Sequence, residues 1–125
     1  MKSDTGVVRG SEVILQAKEF IIANCDNRLT IARVANAVGE SNTYRFYRFF
    51  RETEKMEFAE FVNRARVERS KSLLLNPHYT ATEIALELGF KSLTQFREVF
   101  KRLLGESPTE YRKRVSNMRD LLETL

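Results

Sequence analysis

One cysteine and one histidine are all that 125 residues carry of the thiol and imidazole ligands. Cys25 alone cannot close an intramolecular disulfide, and with His78 as the only imidazole no Cys/His cluster of zinc-binding spacing exists. This usage fits a reducing, cytoplasmic setting. Long apolar runs are lacking as well. "FIIANC" and "SLLL" fall far short of the roughly 20 residues a membrane span needs, and no signal-peptide core opens the chain. A nucleophilic thiol needs a neighbouring base or cation, whereas Cys25 stands alone near the expected end of an apolar helix. The pattern therefore gives no catalytic residue, no metal site, no cofactor and no membrane contact.

What is present suits a packed domain. A hydrophobic content of 42% can fill the core of one compact domain or two very small ones. Twenty-one Lys+Arg against 17 Asp+Glu leave a net charge of +4, a moderate excess that suits a polyanionic partner.

Residues 1–10 lack periodicity and read as a flexible tail. From Ser11 onward, Val13, Ile14, Ala17, Phe20 and Ile21 follow helical spacing, which fades in "NCDNR". The most informative feature is an internal repeat offset by 50 residues. Thr30, Ala35, Gly39, Phe46, Phe50 and Glu60 coincide with Thr80, Ala85, Gly89, Phe96, Phe100 and Glu110. Val34 and Val38 likewise meet Ile84 and Leu88. The matching positions are those that pack or turn.

Each copy reads as a short helix, a glycine turn and a second helix. Thr80 with Glu83 makes a capping box, Gly89 turns the chain and Ser92 caps the next helix. In the first copy Thr30 starts the helix, Gly39 turns, and Ser41 or Asn42 caps. Between the copies a long helix is ended by Asn76-Pro77. Ser107, Pro108 and Glu110 open another. The expected organisation is all-α with about seven helices: a first unit at 11–56, a linker helix at 57–76, a second unit at 77–115 and a C-terminal helix extension at 116–125.

The stretch "TYRFYRFFRE" then divides into two faces. On a helical wheel Phe46, Phe49 and Phe50 fall together, while Tyr44, Arg48 and Arg51 fall opposite with Arg45 and Tyr47 on the flanks. The phenylalanines read as core. The outward arginines are either a solvated face or a contact surface, and a glycine turn before a basic second helix is the helix-turn-helix arrangement that enters the DNA major groove. Arginine can bond guanine O6 and N7 together. In the second unit Phe96, Val99, Phe100 and Leu103 face inward, and Thr94, Glu98 and Lys101 form an outward stripe flanked by Gln95 and Arg97. That stripe is closer to neutral, so the first unit is expected to supply more duplex affinity. Glu98 is either an acceptor for cytosine N4 or the partner of a nearby cation.

From about Val13 to Val115 the chain resembles the paired helix-turn-helix domain of AraC-family transcription regulators. The most specific part is "IALELGFKSLTQFREVFKRLLGESPTEYR", and "RVERSKSLLL" looks like the family's linker helix. The resemblance implies sequence-specific binding of double-stranded DNA by two recognition helices in successive major grooves. It further implies a bacterial activator acting beside RNA polymerase. Carried over by position, the base-reading candidates are Tyr44, Arg45, Tyr47 and Arg48, then Leu93, Thr94, Gln95 and Glu98, with Arg97 beside them. Thr30, Arg51, Lys91, Lys101, Ser107 and Thr109 are phosphate candidates, a capping role being the alternative for the hydroxyls near helix starts.

Three departures from the family pattern carry expectations. Lys55 stands where the repeat partner is Gly105, which predicts a different turn after the first recognition helix. Ser70 replaces the usual alanine of the linker. "GESNTYRF" has one more turn residue than the commonest pattern, which would displace Tyr44 to Arg48. Beyond the resemblance, Tyr111, Val115, Met118, Leu122 and Leu125 continue a coiled-coil-like stripe that either packs back on its own domain or makes a weak homodimer contact. Two rival readings remain: a helical module that binds an acidic protein surface, and a methyl-acceptor repair protein using Cys25.

Overall fold

The computed structural model describes residues 6–125, with side chains from Gly10 onward. Among the described residues all regular structure is helical: α1 (Gly6–Ala23), α2 (Ile31–Ala37), α3 (Thr43–Glu54), α4 (Phe58–Leu74), α5 (Ala81–Glu87), α6 (Leu93–Leu104) and α7 (Pro108–Glu123). The all-α, seven-helix expectation holds. Part of the expected tail, Met1–Thr5, lies outside the described residues. Helix α1, however, already begins at Gly6. Gly10 is buried, and a Cβ there would sit 2.0 Å from the Phe49 ring, so the segment read as a tail supplies the notch that seats an α3 side chain.

The chain forms two compact units, one up to Ala65 and one from Arg66 to Leu125. In the first, Ile14, Ala17 and Ile21 of α1 pack with Val34 and Ala35 of α2, Phe46 and Phe50 of α3, and Phe58 and Val62 of α4. Phe50 is the hub, with the Phe58 and Phe61 rings packed edge to face at centroid distances of 5.5 and 5.6 Å. In the second, Val67 and Leu74 of α4 pack with Ile84 and Ala85 of α5, and with Phe96, Val99 and Phe100 of α6. Phe100 lies 5.7 Å from Phe96 and 5.8 Å from Tyr111. Each fully buried ring is worth about 1.5–3 kcal/mol of transfer free energy, so these faces decide how the helices lie.

Local chemistry sets the helix starts. The side chains of Thr30, Asn42, Thr80, Ser92 and Ser107 each accept from the backbone N–H three residues on, and Glu83 and Glu110 complete capping boxes. Asn42, not Ser41, caps α3. Gly39 and Gly89 take φ of 82° and 93°, the left-handed turn that lets the second helix of each copy leave the first.

The cap follows the turn glycine at the same spacing in both copies, Gly39 to Asn42 and Gly89 to Ser92. One sequence expectation is corrected here: the chain does not turn differently after α3. Lys55 adopts φ 57° and ψ 32°, and its N–H donates to Arg51 O at 2.9 Å, as Gly105 at φ 81° donates to Lys101 O at 2.8 Å. Lys55 simply bears the left-handed strain that glycine avoids.

Ser70 is fully buried, and its hydroxyl donates to Val67 O at 2.6 Å, so its own helix satisfies the extra oxygen. Arg112 reaches from α7 to the end of α4, donating from Nε to Leu74 O at 2.8 Å and from Nη2 to Tyr79 O at 2.6 Å and Asn76 O at 3.2 Å. It thereby ties the end of α4, at Leu74, to the loop that follows it. Past Val115 the α7 stripe does not pack back: Met118, Leu122 and Leu125 are 52%, 67% and 96% exposed.

Candidate nucleic-acid interface

Helix α3 keeps its phenylalanines inward and its polar side chains outward, as the wheel requires. Phe46 and Phe50 are buried, Phe49 is half-buried, and Tyr44, Arg45, Arg48 and Arg51 are exposed. The arginines are not bare. Arg45 Nη2 donates to both Glu40 carboxylate oxygens at 3.1 Å, Arg48 meets Glu52 at 3.4 Å, and Arg51 meets Glu57 at 3.6 Å. Such exposed pairs contribute about 0–1 kcal/mol, so each guanidinium can exchange its carboxylate for another anion at little cost.

Tyr47 is placed differently from its neighbours. It is half-buried, its hydroxyl donates to Glu57 Oε1 at 2.6 Å, and the Arg51 guanidinium stands 5.6 Å from its ring. The Glu57 carboxylate raises the phenol pKa above its ordinary value. Tyr47 therefore braces the end of α3 against the segment leading into α4, while Tyr44, Arg45 and Arg48 remain on the open face. Glu40, Glu52 and Glu57 went unnoticed in the sequence; their spacing to the arginines was the available signal for Glu52, but Glu40 and Glu57 are brought in by turns.

On α6 the outward set is Thr94, Arg97, Glu98 and Lys101, all exposed. Arg97 and Glu98 form no ion pair among the described residues, so the expected partner of Glu98 is not found there. Leu93 is half-buried against the second core, and the Gln95 side chain accepts the Lys91 N–H at 2.6 Å. Those two carried-over candidates serve the core and the loop, although each lies at the edge of the outward face.

The remaining candidates sit at helix starts. The hydroxyls of Thr30 and Ser107 accept from Arg33 N at 3.1 Å and Glu110 N at 3.0 Å, which is the capping alternative realised. Lys91 and Thr109 are exposed beside the starts of α6 and α7. Cys25 is buried, 3% exposed, its Sγ 3.8 Å from Ile22 O and Ala65 O.

Residues 35–114 match the model of a helix-turn-helix domain family, a span that takes in both turn glycines and both outward faces. The chain belongs to the AraC family of helix-turn-helix regulators. It is 30% identical over 102 residues to the Msm operon regulatory protein of Streptococcus mutans, covering 82% of this chain and 36% of that protein. The chain spans about a third of the length of that protein and of the melibiose operon regulatory protein of Escherichia coli, and 14% of some longer relatives. Among solved structures it is similar to a probable AraC family transcriptional regulator from Rhodopseudomonas palustris, at 27% identity and TM-score 0.72, covering 82% of this chain and 96% of that one. It is also similar to the DNA-binding domain of the global transcriptional factor AdpA in complex with a target DNA, at 26% identity and TM-score 0.67, covering 90% and 96%. For this AraC-type chain the likeness accounts for both the repeated plan and the linker segment.

Proposed function

We propose that the chain binds double-stranded DNA sequence-specifically, with α3 and α6 as recognition helices in successive major grooves, and acts as a bacterial transcription regulator in the cytoplasm. The observation that carries this reading is the duplication. Two copies of a short helix, a left-handed glycine and a capped second helix each bury the rings of that second helix and turn its polar donors outward. In the first unit Tyr44, Arg45 and Arg48 are the base-reading groups and Arg51 a phosphate contact. In the second, Thr94, Arg97 and Glu98 read bases, and Lys91 and Lys101 hold phosphates.

Two half-sites about one helical turn, roughly 34–36 Å, apart follow from paired recognition helices. The regulatory role proposed with it is activation beside RNA polymerase, which the resemblance to AraC-family regulators implies. The exposed stripe of Met118, Leu122 and Leu125 supports a weak self-contact through α7, which concentration-dependent sedimentation would register.

Selection of bound duplexes from a random pool, with the wild-type chain and with Arg48→Ala in parallel, tests the reading. Two enriched blocks about ten base pairs apart, only one of them relaxed by the substitution, are expected. A folded protein that enriches no sequence, yet binds an acidic protein surface, would favour the protein-interaction reading instead.

A further inference from the structure

One position separates the two reading helices chemically. The residue after the turn glycine is Phe90 in the second unit, 3% exposed, its ring 5.1 Å from Phe96 and 5.8 Å from the Arg66 guanidinium. In the first unit the same position is Glu40, and it is not a core residue. Its Oε2 accepts the Asn42 backbone N–H at 3.0 Å, while both its oxygens accept from Arg45 Nη2 at 3.1 Å. The side-chain exposures differ sharply, 22% for Glu40 and 73% for Arg45, so a shielded anchor holds an exposed tip.

At the place of Arg45 the second unit has Gln95, whose side chain accepts from its own loop. The same slot in the repeat therefore ties a reading-helix side chain to the turn in one unit, and tethers an outward-pointing cation in the other.

We infer that Glu40 is a positioning residue that sets sequence specificity: it fixes Arg45 so that the remaining guanidinium edge meets one base pair of the first half-site. The inference rests on the duplex-binding reading above. Glu40 engages only Nη2, which leaves Nη1 to donate to a guanine acceptor, O6 or N7. An untethered arginine could reach phosphates on any sequence. A tethered one meets its base with less ordering left to do. The carboxylate itself repels phosphates, which lowers affinity for every duplex alike. Its charge is secure at neutral pH, because the Asn42 N–H and then the Arg45 guanidinium hold the Glu40 carboxyl below its ordinary range.

The test compares wild type, Glu40→Gln, Arg45→Ala and the double variant by duplex selection and by competition against random duplex. Glutamine keeps the shape and an acceptor for the Asn42 N–H but removes the charge. Glu40→Gln is expected to tighten random-duplex binding a few-fold while lowering the preference at one base pair about tenfold. In the Arg45→Ala background it should still tighten random-duplex binding but change no base preference. Unchanged preferences in Glu40→Gln, or an equal change with Arg45 absent, would overturn the inference while leaving duplex recognition intact. A wild-type chain that selects no sequence would overturn duplex recognition, and this inference with it.

Discussion

The two units share caps, turn glycines and inward rings at an offset of 50 residues, yet they diverge on the outside. The second fills the position after its glycine with Phe90. The first puts Glu40 there and has an open cavity of about 630 Å³ whose lining includes Glu40, Gly10, Tyr44 and Phe49. The arginines of α3 each face a carboxylate, whereas Arg97 on α6 has none among the described residues. The two outward faces thus differ in pairing, with tethered cations on α3 and an untethered one on α6. Ring positions are held fixed by packing free energy, while exposed ion pairs contribute so little to stability that the outward faces can change freely.

The largest expected effect comes from giving the second unit the first unit's residue. Phe90→Glu replaces a buried ring by a carboxylate that, even with the Arg66 guanidinium nearby, leaves the core without its ring, and should destabilise that unit by about 3 kcal/mol or more. The reverse change, Glu40→Phe in an accessible turn, should move stability by less than about 1 kcal/mol. Urea unfolding of the two variants measures the contrast, and equal losses would mean that the two positions are not as different as their surroundings indicate.

Next is the division of duplex binding. Arg48→Ala should cost about 1–3 kcal/mol at one half-site. The Thr94→Ala/Gln95→Ala double variant should cost less, because Gln95 is already engaged by the Lys91 N–H. Equal losses in titrations against a selected duplex would place the balance of affinity elsewhere. Of similar size is the effect of Arg112→Met, which removes the charged donor from three carbonyls around the end of α4 and should destabilise the second unit by about 1.5–3 kcal/mol. The first unit should be unaffected when its own amide exchange is followed.

Much of this architecture is readable in the sequence because it rests on local rules. Thr80-Glu83 and Ser107-Pro108-Glu110 satisfy backbone donors within one turn, and Phe46 and Phe50, or Phe96 and Phe100, recur at helical spacing, so neither needs tertiary information. What escapes is set by contacts across turns or between helices. Gly10 matters because Phe49 rests on it, Arg112 because the end of α4 arrives beside it, and Glu40 because a turn returns its carboxylate to Arg45. Tyr47 shows the same limit: the wheel places it on a flank, but Glu57, lying beyond α3, takes up its hydroxyl. Turn geometry was also less legible than helix content, since Lys55 takes the left-handed conformation that its side chain argues against.

Lys55→Gly turns that last point into a smaller test. Glycine removes the left-handed strain at φ 57°, and the substitution should stabilise the first unit by about 1 kcal/mol, less the entropy it adds to the unfolded chain. Gly105→Lys should move the second unit in the opposite direction by a similar amount. Opposite shifts in melting temperature would confirm that the two C-caps are equivalent.

The smallest effects separate the units by pH. The Ser107 backbone N–H, and then its hydroxyl, lower the Glu110 pKa from 4.5, so its contribution is present above the ordinary glutamate range and is lost as pH falls through the lowered value. Tyr47 has the opposite sign. Glu57 raises its phenol pKa from 10.0, so the protonated phenol contributes below that value, and the contribution disappears as pH rises through the raised one. Glu110→Gln should therefore flatten acid destabilisation of the second unit, and Tyr47→Phe should flatten alkaline destabilisation of the first. Both groups are solvent-accessible, so the shifts should be smaller than for any substitution above. Melting curves across both pH limbs that respond identically in the two variants would show that neither contact contributes through its ionisation.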